Sequence, residues 1–195
     1  FFILQFFNAS VPQLPHDFSL ALLIAAGALC NQKSWTGESY ALHYLQVADA
    51  TSEHLSLDEK IVGILHDVVE DSDWTLDDLR NLGFSNPVVH AIDALTKKKG
   101  EKYFDAIQRC SINPIGRKVK RRDNHHNMDL TRGPFVAGEK QKYHYHISWM
   151  YLGAVDAGEI APNTSIWEFL QMDKYKGLMT PKNYHYIAQQ TSEPV

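Results

Sequence analysis

The segment from Ser56 to Val69 restricts the fold of this chain more than any other. Ser56 with Glu59 three residues on has the spacing of a capping box, in which the two side chains satisfy backbone amides left free at a helix start. Beyond it, Ile61, Val62, Ile64, Leu65, Val68 and Val69 recur with the period of a helix that buries one face. His66-Asp67 interrupts this apolar run, and Glu70 and Asp71 follow. A charged pair in a mostly buried helix is costly unless something compensates it. On a continuous helix, His66 and Glu70 are four apart, as are Asp67 and Asp71, while Asp67 and Glu70 are three apart. All four then share adjoining parts of one face. Three carboxylates and an imidazole within two turns repel one another unless a cation sits among them, and a divalent metal is the simplest such cation. The competing reading is a solvated acidic helix end that continues into Asp73, Asp77 and Asp78. Periodicity alone weighs the two equally.

The helical period recurs along the chain, whereas the sustained alternation of strands is missing. The spacing predicts helices over 17–30, 39–51 and 56–69. Thr75 and Asp78 form a second capping-box pair at the head of a helix that ends near Gly83. Further helices run from Pro87 to about Leu95, from Tyr103 to Cys110, from Asn113-Pro114 to Met128, and over 139–157. Gly37, the basic turn Lys97–Gly100 and Gly133-Pro134 act as breaks. The tail from Gly158, with Pro162, Pro181 and Pro194, is expected to pack as an appendage. The expected architecture is therefore all-α, a bundle of short helices. A chain of 195 residues forms one domain by default. That domain covers 1–195, with its core at about 17–157 and the appendage at 158–195.

Composition removes several classes of function. A net charge of -4 argues against a globally basic nucleic-acid binder, so nucleic acid is not an expected partner. The basic stretches Lys97–Lys102 and Arg117–Arg122 read as solvated faces, or alternatively as phosphate- or RNA-binding surface. Neither Cys30 nor Cys110 belongs to a CxxC pair, which argues against a cysteine zinc site or a disulfide framework and suits a reducing cytoplasm. The opening FFILQFF is too short to span a bilayer and lacks the basic region of a signal peptide, so no membrane association is expected. Leu20–Leu29 is apolar but is closed by Asn31, Gln32 and Lys33, as a buried helix would be. A homo-oligomer stays open.

Ten histidines leave the question of which converge. His43 lies among apolar neighbours in Tyr40-Ala-Leu-His-Tyr-Leu45, where a lone histidine is more often a core residue than a ligand. In Arg121-Arg-Asp-Asn-His-His-Asn-Met-Asp129, Asp123 and Asn127 stand four apart in a polar cluster that by itself reads as a solvated helix end.

Together these segments resemble a known family. The order His43, His66-Asp67 with Glu70-Asp71, then Asp123 is similar to the H…HD…D signature of the HD phosphohydrolases. The finer resemblance is to the hydrolase domain of RelA/SpoT-type proteins and their small stand-alone relatives. Gly37-Glu-Ser-Tyr-Ala-Leu-His43 resembles that family's G-x-P-Y-x-x-H. Leu65-His-Asp-Val-Val-Glu-Asp-Ser72 resembles L-H-D-x-x-E-D-T, and Val119–Met128 resembles V-K-L-A-D-x-x-H-N-M. The resemblance covers about residues 20–155 and implies an HD-domain bundle.

The resemblance implies that His43, His66, Asp67 and Asp123 hold one divalent metal. Two imidazoles and two carboxylates make a borderline ligand set suited to Mn²⁺ and tolerant of Fe²⁺ or Zn²⁺. It implies that Glu70 and Asp71 position or activate water, and that Asn127 contacts a nucleotide. Lys142 falls where the stand-alone relatives keep an Arg near phosphate. Arg132 reads equally as a phosphate contact or a structural ion pair. In the loop 32–36, either Lys33 touches a base or Trp35 stacks on one, and Trp35 reads as well as a seal on the core. Ser39, Tyr44 and Arg121-Arg122 depart from the family pattern. The implied activity is metal-dependent hydrolysis of a phosphorylated nucleotide, with the 3′-pyrophosphate of (p)ppGpp foremost. The length leads to an expectation of a hydrolase without a synthetase domain. The alternatives are a phosphatase for another nucleotide, such as a dinucleotide 2′-phosphate or a nucleoside monophosphate, and a non-catalytic nucleotide-binding module.

Overall fold

The structure, a computed structural model, describes residues 18–34, 36–49, 54–129, 139–178 and 180–192, with the backbone alone for residues 139–142 and 182. Ten α-helices cover these residues: α1 (Phe18–Ala28), α2 (Ala41–Ala48), α3 (Leu57–Leu65), α4 (Leu76–Asn81), α5 (Asn86–Leu95), α6 (Tyr103–Ile112), α7 (Pro114–Met128), α8 (Glu139–Asp156), α9 (Ile166–Gln171) and α10 (Pro181–Gln189). A 3₁₀ turn at Lys176–Leu178 precedes α10. Among the described residues the extended pairing is a single bridge between Lys33 and Ser39. The fold is all-α, as the periodicity predicts. No described helix is long and apolar enough to cross a membrane. The apolar opening FFILQFF and the break at Gly133-Pro134 lie outside the described residues.

Local chemistry places the helix starts. Ser56 and Glu59 form a reciprocal capping box on α3, and Thr75 and Asp78 form one on α4. Asn113 closes α6 and opens α7, its side chain accepting the Gly116 amide at 2.8 Å. Asp49 ends α2 in the left-handed region, with φ 41°.

One boundary differs from the sequence reading in a way that shapes the site. α3 stops at Leu65, and residues 66–70 form a turn rather than a continued helix. The His66 ring takes up the Gly63 carbonyl at 2.8 Å, and the Val68 amide donates three residues back to Leu65 at 3.0 Å. Ser72 Oγ then donates to the Val68 carbonyl at 2.6 Å. Side chains thus engage carbonyls that a longer helix would bond through its backbone.

Two buried clusters form the interior. The first is built mainly from α1 to α5 and includes Ile24, Val62, Ile64, Leu79, Val89 and Ile92. The second joins α6 and α8 to the chain's last third through Phe104, Tyr151, Leu152, Ile166, Phe169 and Ile187. α7 packs on α2, α3 and α5 on one side and on α6 and α8 on the other. The helix that carries Asp123 therefore lies between the two clusters. α2 and α3 meet at Gly63, where an added Cβ would sit 2.6 Å from the Ala48 Cα. Only a residue without a Cβ allows this approach, which brings His43 and His66 together.

Candidate metal centre

His43 comes from α2, His66 and Asp67 from the turn after α3, and Asp123 from α7. His43 Nε2 and His66 Nε2 lie 3.2 Å apart. Asp67 Oδ2 is 2.8 Å from His66 Nε2 and 3.8 Å from His43 Nε2. Asp123 Oδ1 is 3.3 Å from His43 Nε2 and 3.9 Å from His66 Nε2. Ligands bound at about 2.1 Å to one ion stand about 3.0–3.4 Å apart along the edges of its coordination shell. The observed spacings bracket that range. His43, His66 and Asp123 are buried, with only 2 to 3% of their surface exposed.

The donor set fits a cation on chemical grounds. Two buried imidazole nitrogens face each other between two carboxylates, and such a cluster needs positive charge. The protonation balance shows it. Burial pushes the His66 imidazole down, but the Asp67 carboxylate and its hydrogen bond override this and raise its pKa to about 9. Burial likewise pushes Asp67 and Asp123 up. The His66 charge holds Asp67 below the usual carboxylate range, and Lys120 with the two imidazoles holds Asp123 well below it. The tautomer also suits a ligand role. A carbonyl only accepts, so the Gly63 oxygen binds the His66 Nδ1–H and leaves Nε2 to face the carboxylates.

No family model matches the chain. Over 173 residues, 83% of its length, it is 30% identical to a GTP pyrophosphokinase of Streptomyces coelicolor, covering 20% of that protein. Over 64 residues, 32% of its length, it is 42% identical to a GTP pyrophosphokinase of Myxococcus xanthus, covering 8% of that protein. The chain thus spans at most about a fifth of these curated relatives. A solved structure of a metazoan orthologue of SpoT, described as hydrolysing ppGpp and acting in starvation responses, matches with a TM-score of 0.60 at 21% identity. The match covers 88% of this chain and 100% of the other. This chain has the HD-domain fold of that neighbour.

Within the HD domain, several residues that hold the candidate ligands carry no role toward a metal in the sequence reading, which takes Lys120 only as part of a solvated or phosphate-binding basic face. Tyr40 donates its hydroxyl to Asp67 Oδ2, and burial together with the Asp67 charge raises its pKa. Lys120 Nζ lies 2.8 Å from Asp123 Oδ2, and His126 Nδ1 lies 2.8 Å from His43 Nδ1. The signal for Lys120 is its spacing, one turn before Asp123 in a basic run. For His126 it is the doubled histidine, which has several readings without the fold. The Arg pair that departs from the family pattern has structural partners. Arg122 donates to the Val47 carbonyl at 2.8 Å and pairs with Asp49 at 3.0 Å, closing the end of α2. Arg121 lies over the Trp149 ring and 3.6 Å from Asp156. Tyr44 is buried in the first cluster.

The remaining candidates are distributed unevenly. Glu70 and Asp71 do not share a helix face with His66, because α3 has already ended. Glu70 is exposed and accepts the Lys97 amide at 3.0 Å. Asp71 is pushed up to about 6 by burial and by the charges of Asp67 and Glu70. Asn127 donates to Asp123 Oδ1 at 2.6 Å, so its contact is with a candidate ligand. Lys33 is exposed at the bridge to Ser39, in a loop tied down by Gln32 Nε2 donating to the Asp71 carbonyl at 3.1 Å. Trp35 and Arg132 lie outside the described residues, as does the side chain of Lys142.

A cavity of about 340 Å³ adjoins the centre, with Glu70, Lys97, Tyr103, Lys120, His144 and Tyr145 on its walls. Its Lys120 is the residue that holds Asp123. A second cavity of about 500 Å³ opens on the other side of α7, with His126 on its wall. Its cations are engaged by acids: Lys118 by Glu59 at 2.8 Å, Arg121 by Asp156 and Arg122 by Asp49.

Proposed function

We propose that this HD domain hydrolyses a phosphorylated nucleotide in a metal-dependent reaction, and that its substrate is (p)ppGpp, from which it removes the 3′-pyrophosphate. The observation that carries the reading is the convergence of four buried or half-buried ligands beside a cavity walled by two lysines. The solved neighbour that hydrolyses ppGpp is covered over its whole length by this fold, which supports the choice of nucleotide.

Under this reading His43, His66, Asp67 and Asp123 hold one divalent ion, with Mn²⁺ the first choice and Fe²⁺ or Zn²⁺ tolerated by the same donors. The ion would supply the Lewis acidity that makes water a nucleophile near neutral pH. Water adds to the phosphorus that carries the 3′ oxygen. The bond between them breaks, the nucleoside keeps a 3′-hydroxyl, and pyrophosphate departs. Asp71, with its raised pKa, accepts the proton from water and passes it to the 3′ oxygen as that bond breaks. Glu70 fixes the start of the 97–102 loop through the Lys97 amide. Lys97 and Lys120 offset the charge that develops on the phosphates, and Tyr103 and Tyr145 line the cavity. Asn127 holds Asp123 from the same helix.

The test is release of pyrophosphate from ppGpp by purified protein with Mn²⁺. Asp67→Ala removes a ligand and the partner of His66, and is expected to abolish both metal binding and turnover. Turnover equal to wild type in Asp67→Ala would sink the mechanism. Release of orthophosphate from dinucleotide 2′-phosphates or nucleoside monophosphates, with none of pyrophosphate from ppGpp, would replace the substrate but keep the chemistry.

A further inference from the structure

We infer that His126 is a positioning residue for the metal centre, whose Nδ1 accepts the Nδ1–H of His43 and so presents the His43 Nε2 lone pair to the ion. The inference rests on the metal reading above. The two Nδ1 atoms are 2.8 Å apart, with ring centroids 5.0 Å apart and planes inclined by 31°. At that separation one proton lies between them, and it belongs to one ring or the other.

The two placements have opposite consequences. If His126 donates, a neutral His43 carries its own proton on Nε2. That proton points at Asp123 Oδ1, 3.3 Å away, and occupies the position a metal needs. If His43 donates, its Nε2 has a free lone pair to offer an ion. His66 has no such choice, because the Gly63 carbonyl cannot donate. His43 is held by an imidazole instead, which satisfies it in either tautomer. His126 therefore lets the buried His43 stay hydrogen-bonded in the metal-free protein and present a ligand in the loaded one. Its place on α7, one turn after Asp123, gives that helix both a ligand and the partner of a second ligand.

The experiment compares wild type with H126F and H126N. Phe removes the acceptor, whereas the Asn amide oxygen occupies the Nδ1 position and restores it. Affinity is read by titration with Mn²⁺ and with Zn²⁺, and tautomers by long-range proton–nitrogen spectra of the diamagnetic Zn²⁺-loaded protein. H126F is expected to weaken metal binding by about 10- to 100-fold at an unchanged helical content, with most of the loss recovered in H126N. In the loaded wild type, His126 is expected to carry its proton on Nε2 and His43 on Nδ1. Equal affinity in H126F and wild type, equal loss in H126N and H126F, or a His126 proton found on Nδ1 overturns the inference while leaving the metal reading standing. A wild-type protein that binds neither ion overturns both.

Discussion

Asn124, next to Asp123 on α7, is fully buried, and among the described residues neither its amide oxygen nor its nitrogen has a hydrogen-bond partner. A buried polar group left unpaired costs about 1–3 kcal/mol, whereas an apolar group of similar size costs nothing of the kind. Asn124→Leu is therefore expected to raise stability by about 1 kcal/mol, which in a chain of this size lifts Tm by about 2–4 °C. Calorimetry of the two proteins checks this, and a fall in Tm would mean that the amide has a partner. The contrast with Asp123 is instructive. Asp123 is equally buried, yet both its oxygens are engaged, by Lys120 on one side and by Asn127 and the imidazoles on the other. Adjacent polar residues in a sequence can thus differ completely in how they are satisfied. Cys110 shows the same dependence on surroundings, since burial pushes its thiol up to about 12 while Cys30 is exposed.

Between elements, two contacts set the site. The first is the crossing of α2 and α3 at Gly63. In Gly63→Ala a methyl group would stand 2.6 Å from the Ala48 backbone, so the helices must part. A stability loss of about 1–3 kcal/mol is expected. Weaker metal binding should accompany it, because His43 and His66 sit on the two sides of the crossing. Titration calorimetry with Mn²⁺ on the folded variant measures the second effect. The other contact is the pair of Arg109 and Glu101, which bond through Nε at 2.7 Å and a terminal nitrogen at 2.8 Å. Arg109 also donates to the carbonyls of Asp93, Ala94 and Thr96, which anchors the loop that carries Lys97. The hydrogen bonds from Arg109 hold the Glu101 carboxyl below its ordinary range despite burial. A depressed carboxyl pKa stabilises the fold above the unfolded value, and the effect fades as pH falls through the folded one. Glu101→Gln is expected to cost about 1 kcal/mol at neutral pH after allowance for solvent screening. The difference from wild type should shrink to near zero in acid below that pKa. Urea unfolding at pH 7 and at a series of pH values into acid follows that decline.

Across the whole molecule, α7 joins two buried clusters, and the chain beyond residue 158 supplies Ile166, Phe169 and Ile187 to the second. Phe169 is fully buried and packs edge-on against Tyr151 at 5.4 Å. Phe169→Ala is expected to lose about 3–5 kcal/mol of stability, as for other buried Phe truncations. The proposed metal ligands lie elsewhere, on α2, α7 and the turn after α3, so the folded fraction is expected to bind Mn²⁺ as wild type does. Chemical unfolding followed by metal titration separates the two outcomes. A loss under about 1 kcal/mol would show that this tail packs without supporting the rest.

By itself the sequence determined the helical class, because periodicity and caps are local properties of a segment. Ser56 with Glu59 and Thr75 with Asp78 need only their own neighbours to start a helix. Through the family resemblance it also offered His43, His66, Asp67 and Asp123 as candidate ligands, since their order in three motifs survives without coordinates. Tertiary structure decided what those residues meet. The end of α3 at Leu65 depends on side-chain bonds to carbonyls, which periodicity cannot register, and it sends Glu70 to the Lys97 amide rather than to the candidate ligands. His126 and Tyr40 join the centre only because separate helices pack at Gly63 and along α7, whereas Lys120 reaches Asp123 along its own helix. A candidate ligand set can be written along one chain, and Gly63, Lys120 and Asn127 hold His66 and Asp123 from their own helices, but Tyr40 and His126 reach Asp67 and His43 from other elements, and only packing brings those within bonding distance.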